Sequence, residues 1–297
     1  MELRALRYFL AVAQEENITR AAEFLHVTQP TLSRMIMELE DEFGKQLVIR
    51  GKRKISLTPD GILLRKRARE LVELADKAEA ELTSNVGGIS GDIYIGSGET
   101  DVVRFLSETA AELRKAHPGI RLRVMSGDGD DVKERLDKGL VDLGFVFGPV
   151  DENKYGRFEL KPADRWGVLM PKDWPLAAKD TVSPSDLWEV PLIISKQATD
   201  TGFLQSWLGR ELNDLNISAT YTMLLNAEKM VEGGLGCALM LDGIFNTAGT
   251  DLVFRPCEPP LTASVSLIWK KYQTFSAATE AYLAAIRERF GKKNSRL

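Results

Sequence analysis

At 297 residues, with 44% hydrophobic and 28% charged side chains, the chain is long enough for two or three packed units, and its composition is neither disordered nor membrane-like. No apolar run approaches the roughly 20 residues that span a bilayer. A formal net charge of −4 excludes attraction of the whole molecule to nucleic acid, so any such binding must come from a local basic surface.

The opening MELRALRYFLAVAQEEN carries arginines inside its apolar stretch and has no small-residue cleavage site, so it reads as an amphipathic helix of a cytoplasmic protein and not as a signal peptide. Leu3, Leu6, Leu10 and Ala13 recur at spacings of three and four, the apolar stripe of that helix. Thr19 is the expected N-cap of a second helix, RAAEFL, in which Ala21 and Ala22 let a neighbour approach closely. His26 and Val27 then make a tight connection to a third helix. Thr28 caps it, Pro30 sits in its first turn, Leu32, Ile36 and Leu39 form its buried stripe, and Gly44 ends it. Two helices joined by so short a turn make a helix-turn-helix. Gln29, Thr31, Ser33 and Arg34 fall off the stripe and crowd the exposed N-terminal end, the end that a recognition helix inserts into the major groove. Gln suits an adenine edge, Arg a guanine, and hydroxyls either bases or phosphates. A merely solvated polar face is the alternative.

The next segment, KQLVIRGKRKISLTPDG, reads as two short strands around a turn, with Lys45, Arg50, Lys52, Arg53 and Lys54 in or beside it. A basic hairpin directly after a helix-turn-helix is a wing able to grip backbone phosphates. The whole stretch from Leu6 to Gly61 resembles, without a gap, the N-terminal domain of the LysR-type transcriptional regulators. It shares their Ala-Ala pair, their Gln-Pro-x-Leu-Ser turn and their Arg before the wing, and differs in having Thr28 where Ser is usual. The resemblance implies a winged helix-turn-helix over 1–58 with Thr28, Gln29, Pro30, Thr31, Ser33, Arg34, Arg50, Arg53 and Lys54 on DNA.

Thr58, Pro59 and Asp60 are a cap, a first-turn proline and a dipole-compatible acid opening a long helix over 59–86. Leu64, Ala68, Leu71, Ala75, Ala78 and Leu82 step by four and three, a heptad seam about 40 Å long. The seam is expected to pair with a second copy; packing on the chain's own C-terminal domain is the alternative. The resemblance likewise implies a dimerisation linker, and two-fold pairing suits an inverted-repeat site.

From GDIYIGSGETD onward short apolar runs alternate with helical patterns, which predicts a parallel sheet covered on both faces, with ligands bound beyond the strand ends. Three such ends carry polar groups: Ser97, Glu99 and Thr100 in GSGET, Ser126 and Gly127 in MSGDGD, and Ser195, Lys196, Gln197 and Thr201 in SKQATDT. Ordinary turn and cap chemistry is the competing reading for each. IYIGSGET, KGLVDLGFVF, WGVLMPKDWPLA and EGGLGCALM are similar to the effector domain of LysR-type regulators. That domain resembles periplasmic solute-binding proteins, with an effector held between two α/β lobes. The resemblance implies an effector-binding domain over 91–297. One lobe would take about 91–161 plus 265–297 and the other about 162–264, with Ser97, Thr100, Ser126 and the Ser195 loop on the effector. Glu99 departs from the uncharged residue usual there, and if it faces the cleft it disfavours a simple carboxylate effector.

An enzyme finds little support. His26 and His117 lie at turns, away from metal-ligand spacing. GISGD is not a nucleophile elbow, GSGETD lacks the third glycine of a dinucleotide fingerprint, and the five tryptophans read as packing residues. Cys237 and Cys257 read as buried thiols, with a redox pair as the alternative. The sequence is therefore read as a non-enzymatic, LysR-type transcriptional regulator without cofactor or metal. Its partners are double-stranded DNA, a small-molecule effector and further copies of itself, as a homodimer or tetramer. The rival reading is a small-molecule binding protein whose N-terminal domain serves only assembly.

Overall fold

The computed structural model describes residues 1–51, 54–83, 88–200 and 202–294, with the side chains of 161–164 and 291–294 left aside. Arg53, in the wing, and Thr201, in the third strand-end loop, lie outside the described residues. The chain divides into two compact units, Met1–Ser84 and Asn85–Leu297.

The first unit contains α1 (Leu3–Glu15), α2 (Ile18–Phe24), α3 (Gln29–Phe43), the antiparallel pair β1 (Val48–Arg50) and β2 (Ile55–Leu57), and α4 (Pro59–Thr83). Its core gathers Leu6, Phe9 and Val12 of α1, Ala21 and Ala22 of α2, Leu32, Ile36 and Leu39 of α3, and Ala68 of α4. The face that α1 buries differs from the expected stripe. Ala5, Leu6, Tyr8, Phe9, Ala11 and Val12 are buried, whereas Leu3 is exposed and Leu10 and Ala13 are half-buried. The reason is that α1 packs against α2, α3 and α4 together, so its inward face is wider than one row of three-four spacings. The N-cap of α2 is Asn17 and not Thr19: its Oδ1 accepts from the amides of Thr19 and Arg20 at 2.9 and 3.1 Å.

Thr58 does open α4. Its Oγ1 accepts from the Gly61 amide at 3.0 Å and donates to the Gln46 carbonyl at 2.7 Å. The expected seam, however, is divided. Ala68 is fully buried in the core of its own unit, and Leu64 packs against that core beside Val72. Ala68 is consequently closed to a partner, and half-buried Leu64 is largely committed to its own unit. Leu71, Leu74 and Leu82 stay exposed on the same helix.

The second unit is built on one nine-stranded sheet. Its first part joins β3 (Gly91–Ser97), β4 (Ile120–Ser126) and β5 (Leu143–Phe147), with α5 (Val102–Ala116) and α6 (Gly129–Asp137) between them in sequence. The second part joins β7 (Leu192–Ser195), β8 (Ile217–Tyr221) and β9 (Cys237–Leu241), with α7 (Lys196–Asp200), α8 (Phe203–Leu208) and α9 (Leu224–Glu232). Both parts are parallel, as the strand–helix alternation predicts. The strands between them are not. β6 (Tyr155–Pro171), β10 (Leu252–Pro256) and β11 (Thr262–Lys270) run antiparallel to their neighbours, so the sheet is mixed.

β6 is long enough to serve both lobes. Its N-terminal half pairs with β11, and its C-terminal half pairs with β9 and β10. The register of β11 shifts between Ala263 and Val265, a bulge at the passage from one lobe to the other. The chain closes with α10 (Ala277–Asn294), whose Tyr282 and Ile286 are buried in the first lobe's core.

Gly61 is fixed by close approach: a Cβ there would stand 2.0 Å from the Leu47 carbonyl oxygen. Gly61→Ala should therefore push α4 off the strand pair and cost the first unit about 2 kcal/mol or more. The measurement is the urea midpoint of that unit's transition, and an unchanged midpoint contradicts the contact.

Candidate functional site

Two surfaces combine accessible polar groups with a defined geometry, one in each unit. In the first unit the turn between α2 and α3 closes through His26, whose φ of 54° is left-handed, and through a 2.9 Å bond from the Val27 amide to the Ala22 carbonyl. Thr28 caps α3: its Oγ1 lies 3.4 Å from the Thr31 amide and 2.8 Å from the Thr31 hydroxyl. The Thr31 hydroxyl is thus engaged in the cap, while Gln29, Pro30 and Arg34 are exposed and Ser33 is half-buried beside them. Among the described residues Arg34 holds only an i,i+4 contact with Glu38 at 3.4 Å, between two exposed side chains, and such a contact yields readily to a phosphate or a base.

The strand pair is tied to α3 by Glu40, which sequence reasoning did not single out. One of its carboxylate oxygens accepts from the amides of Leu47 and Val48 at 2.7 and 3.0 Å. The other lies 3.8 Å from the Arg50 guanidinium, which also reaches Ser33 Oγ at 3.5 Å. Arg50 therefore stands beside the exposed end of α3 with its orientation set from below. Lys54 is placed differently from Arg50, because its ammonium is paired with Glu16 at 2.6 Å. The signal for Glu40 was local and readable: an acid on the helix face turned toward a strand whose first amides need acceptors.

In the second unit a cavity of about 760 Å³ lies between the two lobes. The strand-end loops contribute Glu99, Ser126, Gly127, Ser195 and Gln197, as expected. Ser97 and Thr100 do not line it. Ser97 is buried and donates to the Gly98 carbonyl at 2.8 Å, and buried Thr100 accepts from the Val102 amide at 3.2 Å at the start of α5. For these two the turn-and-cap reading holds, since both side chains complete backbone bonds of their own loop. Lys196 is exposed and absent from the lining.

Glu99 points into the cavity and crosses it, accepting a hydrogen bond from the Leu224 amide at the first turn of α9. The remaining wall was not legible in sequence. Phe147, Trp166, Phe203 and Tyr221 supply aromatic surface, and Ser264 and Ser266 line it from β11. The Trp166 and Phe203 rings are 5.7 Å apart, so Trp166 is a wall residue as well as a core one. Tyr221 is kept protonated by burial and, secondarily, by the Glu99 charge, and its hydroxyl donates to the Leu239 carbonyl at 3.0 Å. Cys237 and Cys257 are free and buried, and burial pushes both thiols up to about 12, away from thiolate chemistry. Among the described residues no group of His, Cys, Asp and Glu is arranged to hold a metal, and no helix is long and apolar enough to cross a membrane.

Comparison with known proteins matches each unit to a family domain. The family model described as "Bacterial regulatory helix-turn-helix protein, lysR family" matches residues 3–62, and "LysR substrate binding domain" matches 87–291. The chain is 32% identical over 295 residues to the Hca operon transcriptional activator HcaR of Escherichia coli (strain K12), covering 97% of this chain and 98% of that protein. It is 30% identical over 256 residues to the HTH-type transcriptional regulator CysL of Bacillus subtilis (strain 168), covering 84% and 83%. Its fold is that of the LysR family regulator CbnR, with a TM-score of 0.80 at 20% identity over 98% of this chain and 99% of that one.

Glu40→Ala strips the acceptor from two strand amides, and each buried amide left unmet costs about 1–3 kcal/mol. The first unit's urea midpoint should fall accordingly, and Glu40→Gln, which keeps a carbonyl acceptor, should recover part of the loss. Equal midpoints for Ala and Gln would show that the amides find water instead.

Proposed function

The chain belongs to the LysR family of transcriptional regulators, and on that premise we propose that it binds duplex DNA as a dimer through α3 and the strand pair, under the control of a small molecule held between the lobes of its second unit. The observation that carries the reading is the pairing of a Thr28-capped helix end, exposed with Gln29 and Arg34, with a guanidinium oriented beside it by Glu40. Arg34 and Gln29 reach base edges, whereas Ser33 and Arg50 contact phosphates and set the register. The helix N-terminus adds its own attraction for a phosphate. Lys54 adds a second phosphate contact once it leaves Glu16.

Two copies associate through the outer part of α4, where Leu71, Leu74 and Leu82 leave apolar surface in water. Ala75 and Ala78 let the partner helix approach closely between them. A two-fold pair presents two α3 ends to the halves of an inverted repeat. Effector binding favours one arrangement of the lobes over another. The difference in its affinity for the two, typically about 1–3 kcal/mol, limits how far DNA binding can respond. The protein acts by binding, without catalysing a reaction.

Arg34→Ala should abolish discrimination between operator and random duplex while the dimer persists, as read by fluorescence anisotropy alongside sedimentation. Undiminished discrimination would remove Arg34 from base contact. Arg50→Ala, by contrast, should weaken both duplexes and flatten the salt slope by up to about one unit. Leu71→Asp should shift the protein toward monomer in sedimentation equilibrium at an unaltered urea midpoint of the first unit, and a persistent dimer would place the interface elsewhere.

A further inference from the structure

The chemistry of the cavity wall restricts what can occupy it. α6 and α9, helices of nine residues whose starts line the cavity, offer the backbone amides that ordinarily seat an anion. Both seats are taken by the protein's own acids. Asp128 accepts from the amides of Asp130 and Asp131 at 3.0 and 2.9 Å. At α9, Met223 provides no side-chain cap and the first turn holds no acid, so Glu99 from the opposite lobe fills the place. An incoming carboxylate would have to displace Glu99 or lie against it. The lining also includes Asp131 and Glu159, and Arg157 as the one cation among the described residues. That guanidinium is itself 3.2 Å from Glu152.

A second, independent feature concerns the apolar wall. Trp166 is only 7% exposed, and its indole Nε1–H has no acceptor among the described residues. That nitrogen is closed to the cavity as well as to bulk water, so a ligand meets Trp166 through other atoms of its ring. The Trp166 and Phe203 faces also suit a flat ring or a cation, which aromatic faces attract.

We infer that the ligand of this cavity is an amine-type cation carried on a flat, largely apolar frame, and not a carboxylate. The inference rests on the reading of the cavity as the effector site. The ammonium group pairs with Glu99 on the lobe-bridging side, and the flat frame lies against the Trp166 and Phe203 rings. Neutralising Glu99 loosens its hold on the α9 amide, so the same contact that selects the ligand alters the bridge between the lobes.

The test uses the full-length protein and three probes of one skeleton: tyramine, 4-hydroxyphenylacetamide and 4-hydroxyphenylacetate, titrated by calorimetry at low salt. The expected order of affinity is amine, amide, carboxylate, with about tenfold or more between the ends. Glu99→Gln should weaken tyramine by about tenfold and strengthen the carboxylate, and Phe203→Ala should weaken amine and amide alike. A carboxylate that binds as tightly as tyramine, or tyramine that does not bind saturably, overturns the inference. Ser264→Trp, which puts a bulky ring into the cavity from an exposed strand position, separates the two readings. If the carboxylate wins and Ser264→Trp removes it, the charge assignment fails while the effector site stands. If tyramine binds Ser264→Trp undiminished, the effector site lies elsewhere and both fall.

Discussion

Leu32, Ile36 and Leu39 are buried along one side of α3 against a core that includes Phe9, Val12 and the small Ala21–Ala22 pair. A helix held along one stripe cannot rotate, so the residues between the buried ones are forced outward. Gln29, Ser33 and Arg34 owe their positions to that constraint and not to any bond of their own. The two alanines matter as much as the leucines, because they let α2 come close enough for the turn at His26 to close. The surface proposed to meet DNA is thus defined by packing on the far side of the same helix.

The strand pair depends on α3 in turn. Three-residue strands have little stability alone, and these are held by a carboxylate of α3 on one side and by Thr58 and Gly61 of α4 on the other. Glu40 satisfies two amides and orients Arg50 with the same group. Reading head, wing and α4 are thereby one mechanical piece. The inner part of α4 stabilises that piece, while Leu71, Leu74 and Leu82 of its outer part remain exposed.

The second unit follows another logic. Its two parallel parts resemble each other in construction, and a ligand site arises where their strand ends converge. The strands that cross between them, β6 and β11, supply Trp166 and Ser266 to the wall as well as continuity to the sheet. Glu99 then spans the gap to α9, so the cavity is bounded by a contact that belongs to both lobes. Charge, aromatic surface and the connection between lobes meet in one place, which is what a ligand-responsive element requires.

By itself the sequence determined most of what depends on neighbours a few residues apart, the α2 cap at Asn17 excepted. Thr28 as cap, Pro30 in the first turn, Gly44 as terminator, the stripe of Leu32, Ile36 and Leu39, and the alternation of strands and helices are local agreements of propensity and spacing, and they survive in the fold. The failures share one cause: periodicity reports that a face is buried but not against what. Leu64 and Ala68 share a heptad row with Leu71 and Leu82, and only tertiary packing assigned the first two to the unit's own core. Ser97 and Thr100 carry the same hydroxyls as Ser126 and Ser195, and only the loop geometry turned them toward backbone partners instead of the cavity. Trp166 and Ser264 stand nearly 100 residues apart in the chain, and they meet because β6 and β11 pair. A cavity wall is made by distant segments converging in space, and no spacing along the chain encodes that convergence.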